Sequence, residues 1–160
     1  MTFCFLLICS SNLFAQDIEI PEDLKLETDE DYKGTEPLVI DAIEWLQNTP
    51  ITQNPAKRKE VNAFLFIWVS GSPTVSIQLV SGLTPTDCAE CLLIFMGGWT
   101  KYSLENDYSD DNVLCALAGV EAMIELYEKN KSTLGKQSDI EKMIKRKKKG
   151  KLKEFVASQF

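Results

Sequence analysis

NPAKRKEVNAFLFIWVSGSP, residues 54–73, opens on Asn-Pro, closes on Gly-Ser-Pro, and sets Val61, Phe64, Leu65, Trp68 and Val69 between them. Those five fall at i, i+3, i+4, i+7 and i+8, the repeat of an amphipathic α-helix. Asn54 offers a side-chain oxygen to the first unpaired N–H groups, and Pro55 suits a first turn where its missing N–H costs nothing. Ser70-Gly71-Ser72-Pro73 stops the helix. Phe66 and Ile67 widen the apolar stripe, which predicts a helix placed centrally in the fold.

The same signals recur on both sides. Upstream, Thr35 reads as a cap, with Pro37 in the first turn and Pro50 as the stop. Val39, Ala42, Ile43 and Leu46 form the inward stripe, with Trp45 at its edge. Downstream, TVSIQLV, residues 74–80, alternates as a strand does. A lone strand leaves both edges unsatisfied, so a short helix entered through Ser72-Pro73 is expected instead. Asp87 is the expected cap of a helix running to about Asn106. Asp110 or Asp111 opens another to about Asn130, with Val113, Ala116, Val120, Met123 and Tyr127 inward. Ser138-Asp-Ile-Glu141 reads as a capping box for a segment carrying Ile140, Met143 and Ile144. Beyond Gly150, Leu152, Phe155 and Val156 mark a short tail helix. The fold class that follows is all-α: residues 35–160 as one domain of five to six helices, in a bundle or small stack.

Composition agrees with a single globular unit. The chain has 160 residues, 44% hydrophobic and 26% charged, with net charge −7. An acidic balance argues against nucleic acid as a partner, because phosphate binding needs a basic face. Residues 16–34, QDIEIPEDLKLETDEDYKG, are acidic and poor in large apolar groups, and an extended, mobile arm is expected there. Docking through Ile18, Ile20, Leu24 and Leu26 is the alternative.

The chain begins MTFCFLLICSSNLFAQD. An apolar run from Phe3 to Cys9, small polar residues and then Phe14-Ala15-Gln16 read as a secretory signal, residues 1–15, cleaved after Ala15. The run falls well short of the roughly 20 apolar residues that span a bilayer, so no transmembrane segment is expected. No Lys or Arg precedes it, and a buried N-terminal helix or strand is the competing reading. The expected location is periplasmic or secreted.

Removal of Cys4 and Cys9 with the signal leaves Cys88, Cys91 and Cys115. Cys88 and Cys91 have the C-x-x-C spacing of redox dithiols and zinc sites. They share a helical face with Leu92, Phe95 and Trp99, and Cys115 lies beside Ala116 and Gly119, so all three point to the core. Buried thiols acting as small apolar groups are the first reading. A structural disulfide involving Cys115 is the second, and metal or redox work the third. A helix N-terminus lowers a thiol pKa, which favours redox work. The βαβ setting of thioredoxin-like motifs is missing, and with no histidine a zinc site lacks its usual fourth ligand.

The absence of histidine also removes Ser-His-Asp and Cys-His catalysis. ENDYSDDN, residues 105–112, is rich in carboxylates but lacks the order of an EF-hand loop and reads as an interhelical connection. No cofactor or metal is therefore expected. Gly97-Gly98 sits inside a helical pattern at about 1 kcal/mol per glycine relative to alanine. Close helix packing is the usual reason; Gly97, Gly98, Trp99 and Tyr102 lining a pocket is the alternative. EKMIKRKKKGKLK, residues 141–153, holds nearly half the basic residues. It reads as a solvated face, or else Lys145, Arg146, Lys147, Lys148 and Lys149 contact an anionic surface or an envelope protein.

AIEWLQNTP, NAFLFIWVSGSPTVSI, IFMGGWTKY, GVEAMIELYEKNK and KGKLKEF together resemble a group of small exported bacterial proteins of unknown function. The resemblance implies export and a helical fold, and transfers no active site. The function expected is a non-enzymatic binding or envelope-associated role. An enzyme or small-molecule binder with a pocket near Gly97-Trp99 is the alternative.

Overall fold

A computed structural model of the chain describes residues 18–85 and 87–160. The expected signal, residues 1–15, lies outside the described residues, as do Cys4 and Cys9. Among the described residues the regular structure is wholly helical: α1 (Asp29–Gly34), α2 (Glu36–Asn48), α3 (Pro55–Gly71), α4 (Ala89–Glu105), α5 (Asn112–Leu134), α6 (Ser138–Lys148) and α7 (Leu152–Ala157). Their inward stripes meet in one continuous core.

The most extensive packing is between α4 and α5. Their contacts run from Ser103 Oγ, which donates to Ser109 O at the turn, to Gly98 against Ala118 and Phe95 against Gly119 farther along. That order makes the pair an antiparallel hairpin. α2 and α3 pack on one side of it, and α6 and α7 pack against α5 and each other. The centre is thus α4, almost every residue of which from Ile94 to Thr100 is buried, rather than α3.

Buried polar groups pin the connections. Arg58, 3% exposed, donates to Leu46 O and Thr49 O at the end of α2 and to Glu90 Oε2 on α4. It satisfies helix-end carbonyls that have no intrahelical partner. Asn130 departs from helical geometry inside α5 and turns its Oδ1 to accept from Ile51 N at 3.1 Å. Past that kink α5 continues to Leu134, beyond the expected end.

Several expected details differ. Of the acidic arm, residues 18–34 are described; Ile18 is buried, and Ile20, Leu24, Leu26 and Tyr32 pack against the core. Its last six residues form α1, opened by a Thr28–Asp31 capping box. This part is docked rather than free, because its few apolar groups all face the same surface. Thr35 stands at the N-cap of α2 as expected, but its side chain makes no capping bond to that helix. Its hydroxyl donates back to Asp31 O and Tyr32 O and accepts from Trp68 Nε1 at 2.9 Å. Residues 74–80 are neither helix nor strand. Val75 is buried and Ile77 half-buried, but Leu79 is exposed, so the alternation holds only through Ile77. The Ser138–Glu141 box is absent: Gln137 holds the cap position, and Glu141 accepts from Tyr127 OH and Lys131 Nζ instead.

A candidate docking face on α3 and α4

The core stripe of α3 lies where its period requires, on Val61, Phe64, Leu65, Trp68 and Val69. Phe66 and Ile67, expected to widen it, are instead 56% and 57% exposed. The reason is positional: α2 and α4 are the described helices packed most extensively on α3, through its inward stripe, and Phe66 and Ile67 lie outside that stripe. Two apolar grooves flank this ridge. One, of about 390 Å³, lies between α3 and α4 and is lined by Asn62, Ala63, Phe66, Leu92, Leu93 and Met96, with Ala89 and Glu90 at its end. The other, of about 420 Å³, lies between α3 and the N-terminal strap and is lined by Ile20, Leu24, Leu26, Phe64 and Ile67, with Glu60.

The charge beside the first groove is occupied internally. Glu90 accepts from Arg58 Nε at 2.9 Å through one oxygen and from Asn62 Nδ2 at 3.0 Å through the other. The rest of the lining is aliphatic and aromatic, apart from the Oδ1 of Asn62, a buried acceptor with no hydrogen-bond partner among the described residues.

The N-terminal turn of α4 edges the same face. Cys88, not Asp87, takes the cap position, and its sulfur accepts from Cys91 N at 3.2 Å. Cys88 and Cys91 are joined as a disulfide, and Cys115 remains a buried free thiol. The first reading thus stands for Cys115 and is corrected for the pair; the reading of a bond involving Cys115 is corrected too. The pair is three residues apart with Cα atoms 5.2 Å apart, within bonding reach across one turn. A four-residue ring stabilises little, about 2 kcal/mol by chain entropy against more than 4 for a long loop. The helix already fixes most of what this ring would restrict. Cys115 donates to Ser109 O, and burial, helped by the charge of Asp111, pushes its thiol above the usual range. It is a poor nucleophile at neutral pH.

The other expected sites fall elsewhere. Gly97, Gly98 and Trp99 are buried. Gly97 faces Ile43 and Leu65, Gly98 lies against Ala118, Gly119 and Ala122, and Trp99 packs on Phe95 and Phe160. They are the close helix crossing, not the lining of a pocket, and Tyr102 beside them is half-buried. In the basic run, Arg146 stacks on Phe155 at 3.9 Å and Lys147 pairs with Glu121 at 3.6 Å. Lys145, Lys148 and Lys149 are exposed. In the 105–112 loop, Asp111 Oδ1 caps α5 through Val113 N and Leu114 N. No group of three or more metal-ligating side chains stands together among the described residues, and no described helix is long and apolar enough to cross a membrane. The docking face itself escaped sequence reading, though two large apolar residues outside a complete five-residue stripe were its visible sign. In comparison with known proteins, the chain matches no family model, no curated protein and no solved structure.

Proposed function

We propose that the protein acts by binding, as an exported helical protein of the cell envelope that takes an apolar segment of an envelope partner onto the α3–α4 face. One observation carries the reading: Phe66 and Ile67 stand exposed between two apolar grooves on a molecule whose core is otherwise filled. Exposed apolar surface of this kind marks interaction sites on soluble proteins. The burial of Gly97, Gly98 and Trp99 weighs against the alternative of an enzyme or small-molecule binder with a pocket there.

A photo-reactive residue at position 66 tests the face in intact cells, with the exposed Glu128 position on α5 as control. Crosslinks from position 66 to an envelope protein, lost when Ile67→Asp is added, are expected. Equal yields from positions 66 and 128 would refute the face. Export is tested separately by N-terminal sequencing of protein from the envelope fraction. A start at Gln16 is expected, and intact Met1 in the cytosol refutes it.

A further inference from the structure

We propose that Cys88 and Cys91 form a thiol–disulfide exchange site that accepts two electrons from the dithiol of an apolar-flanked protein segment. Cys88 caps the 17-residue α4 and Cys91 lies one turn inside, with its N–H aimed at the Cys88 sulfur. On reduction that N–H and the positive end of the helix remain in place and stabilise a Cys88 thiolate. Glu90 is the carboxylate of that first turn, and its charge is taken up by Arg58 and Asn62. Both cysteines are buried, Cys88 at 5% exposure and Cys91 at 0%, so Cys88 is the one of the two with any surface.

The bond itself is the second observation. Its small ring contributes only about 2 kcal/mol through the unfolded chain, and it holds a reducible pair of sulfurs at the cap of α4. Ala89, Leu92 and Leu93, on the same turns as the pair, line the α3–α4 groove. Neither cysteine lines that groove, but Ala89, the neighbour of Cys88, does; on this proposal an apolar-flanked substrate docks there with its cysteine next to Cys88.

The step balances as follows. A substrate thiolate attacks Cys88 Sγ, the Cys88–Cys91 bond breaks, and Cys91 leaves as a thiolate that takes a proton. The substrate's second thiolate then attacks its own sulfur in the mixed disulfide and expels the Cys88 thiolate. The substrate dithiol becomes a disulfide, and this protein becomes a dithiol. Two electrons and two protons have moved to it.

The test uses the full chain carrying Cys4→Ser, Cys9→Ser and Cys115→Ala, with wild type alongside, and two reduced dithiol peptides, one flanked by leucines and one by serines. Stoichiometric oxidation of the leucine peptide by the folded protein, faster than of the serine peptide, is expected. In Cys91→Ser, the free Cys88 should be alkylated at pH 6 faster than an ordinary cysteine, as a thiolate held by the helix N-terminus requires. A bond that reacts only after unfolding, or a Cys88 with ordinary alkylation rate, overturns the proposal. Phe66→Asp should abolish the preference for the leucine peptide while leaving exchange with small thiols intact, and a retained preference overturns the groove's part. Failure of exchange leaves the docking face standing, and failure of crosslinking at position 66 leaves exchange at Cys88 standing.

Discussion

Gly98→Ala should destabilise the protein by about 2 kcal/mol, while Gly97→Ala, one residue away, should be close to neutral. The new Cβ at position 98 would lie 2.7 Å from Ala122 Cβ, 2.8 Å from Ala118 O and 2.9 Å from Gly119 Cα. Restoring carbon contacts of about 3.5 Å requires α4 and α5 to part by roughly 0.7 Å. None of the three obstacles is a flexible side chain that swings away. Overpacking costs about 1–3 kcal/mol, and backbone obstacles put this site at the upper end. The gain in helix propensity returns about 1 kcal/mol. At position 97 the Cβ would meet Ile43 Cγ1 at 3.2 Å and Cγ2 at 3.3 Å, atoms that can yield. There the clash and the propensity gain offset each other. Urea unfolding followed by far-UV circular dichroism measures both; a slope of about 2 kcal/mol per molar puts the Gly98→Ala midpoint about 1 M below wild type. An unchanged or raised midpoint for Gly98→Ala would refute the close crossing and reopen a ligand role for the glycine pair.

Arg58→Met should cost roughly 3 kcal/mol, the low end for breaking a buried ion pair, because Glu90 keeps 27% of its side chain in water. Urea titration checks this, and a loss within the error of wild type would remove Arg58 as the link between α2, α3 and α4. Glu141 titrates below the usual glutamate range, held there by Lys131 and then Tyr127. Its contribution is complete above about pH 4.3, the unfolded value, and is lost as pH falls through the lower folded value. Amide exchange should therefore show α6 loosening from α5 in acid, and Glu141→Gln should remove that pH dependence; an identical profile in both proteins would sink the assignment. Lys145, Lys148 and Lys149 changed together to Gln should leave stability within about 0.5 kcal/mol, since they are solvated, whereas Arg146→Gln should loosen α7 by losing its stack on Phe155. If the run contacts an anionic surface, the triple variant should lose the salt-sensitive part of association with anionic vesicles, and unchanged association at low salt counts against it.

Helix existence was legible because it rests on repeated apolar spacing; helix ends were legible only where one side chain had one partner within reach. Asn54 and Asp111 cap α3 and α5 as read, each bonding an N–H two or three residues ahead. Thr35 and Glu141 have the right identity and spacing for caps but bond to groups the local sequence does not reveal. Trp68 claims the Thr35 hydroxyl from 33 residues away, and Lys131 and Tyr127 claim Glu141 from 10 and 14 residues away. The cysteines divide in the same way. Their turn to the core follows from the helical face, but the bond depends on Cys88 standing at the cap, one place later than the Asp87 cap expected.

Phe66 and Ile67 carry this reasoning to its most useful failure. A helix that is apolar on more than one face is either surrounded or waiting for a partner, and sequence alone does not separate the two. The surrounded reading took α3 to the centre. The structure gives the centre to α4, whose glycines allow α5 to approach, and leaves α3 with an exposed side. Each exposed half of those two side chains forgoes on the order of 1 kcal/mol that burial would return. Residues that break a local rule with no gain inside the fold are where function is to be sought. The core is complete without these two, since Val61, Phe64, Leu65, Trp68 and Val69 already fill the inward stripe. What their exposure forgoes in the free molecule is therefore available to a partner that covers them, which is why the proposed binding face is set on the exposed side of α3.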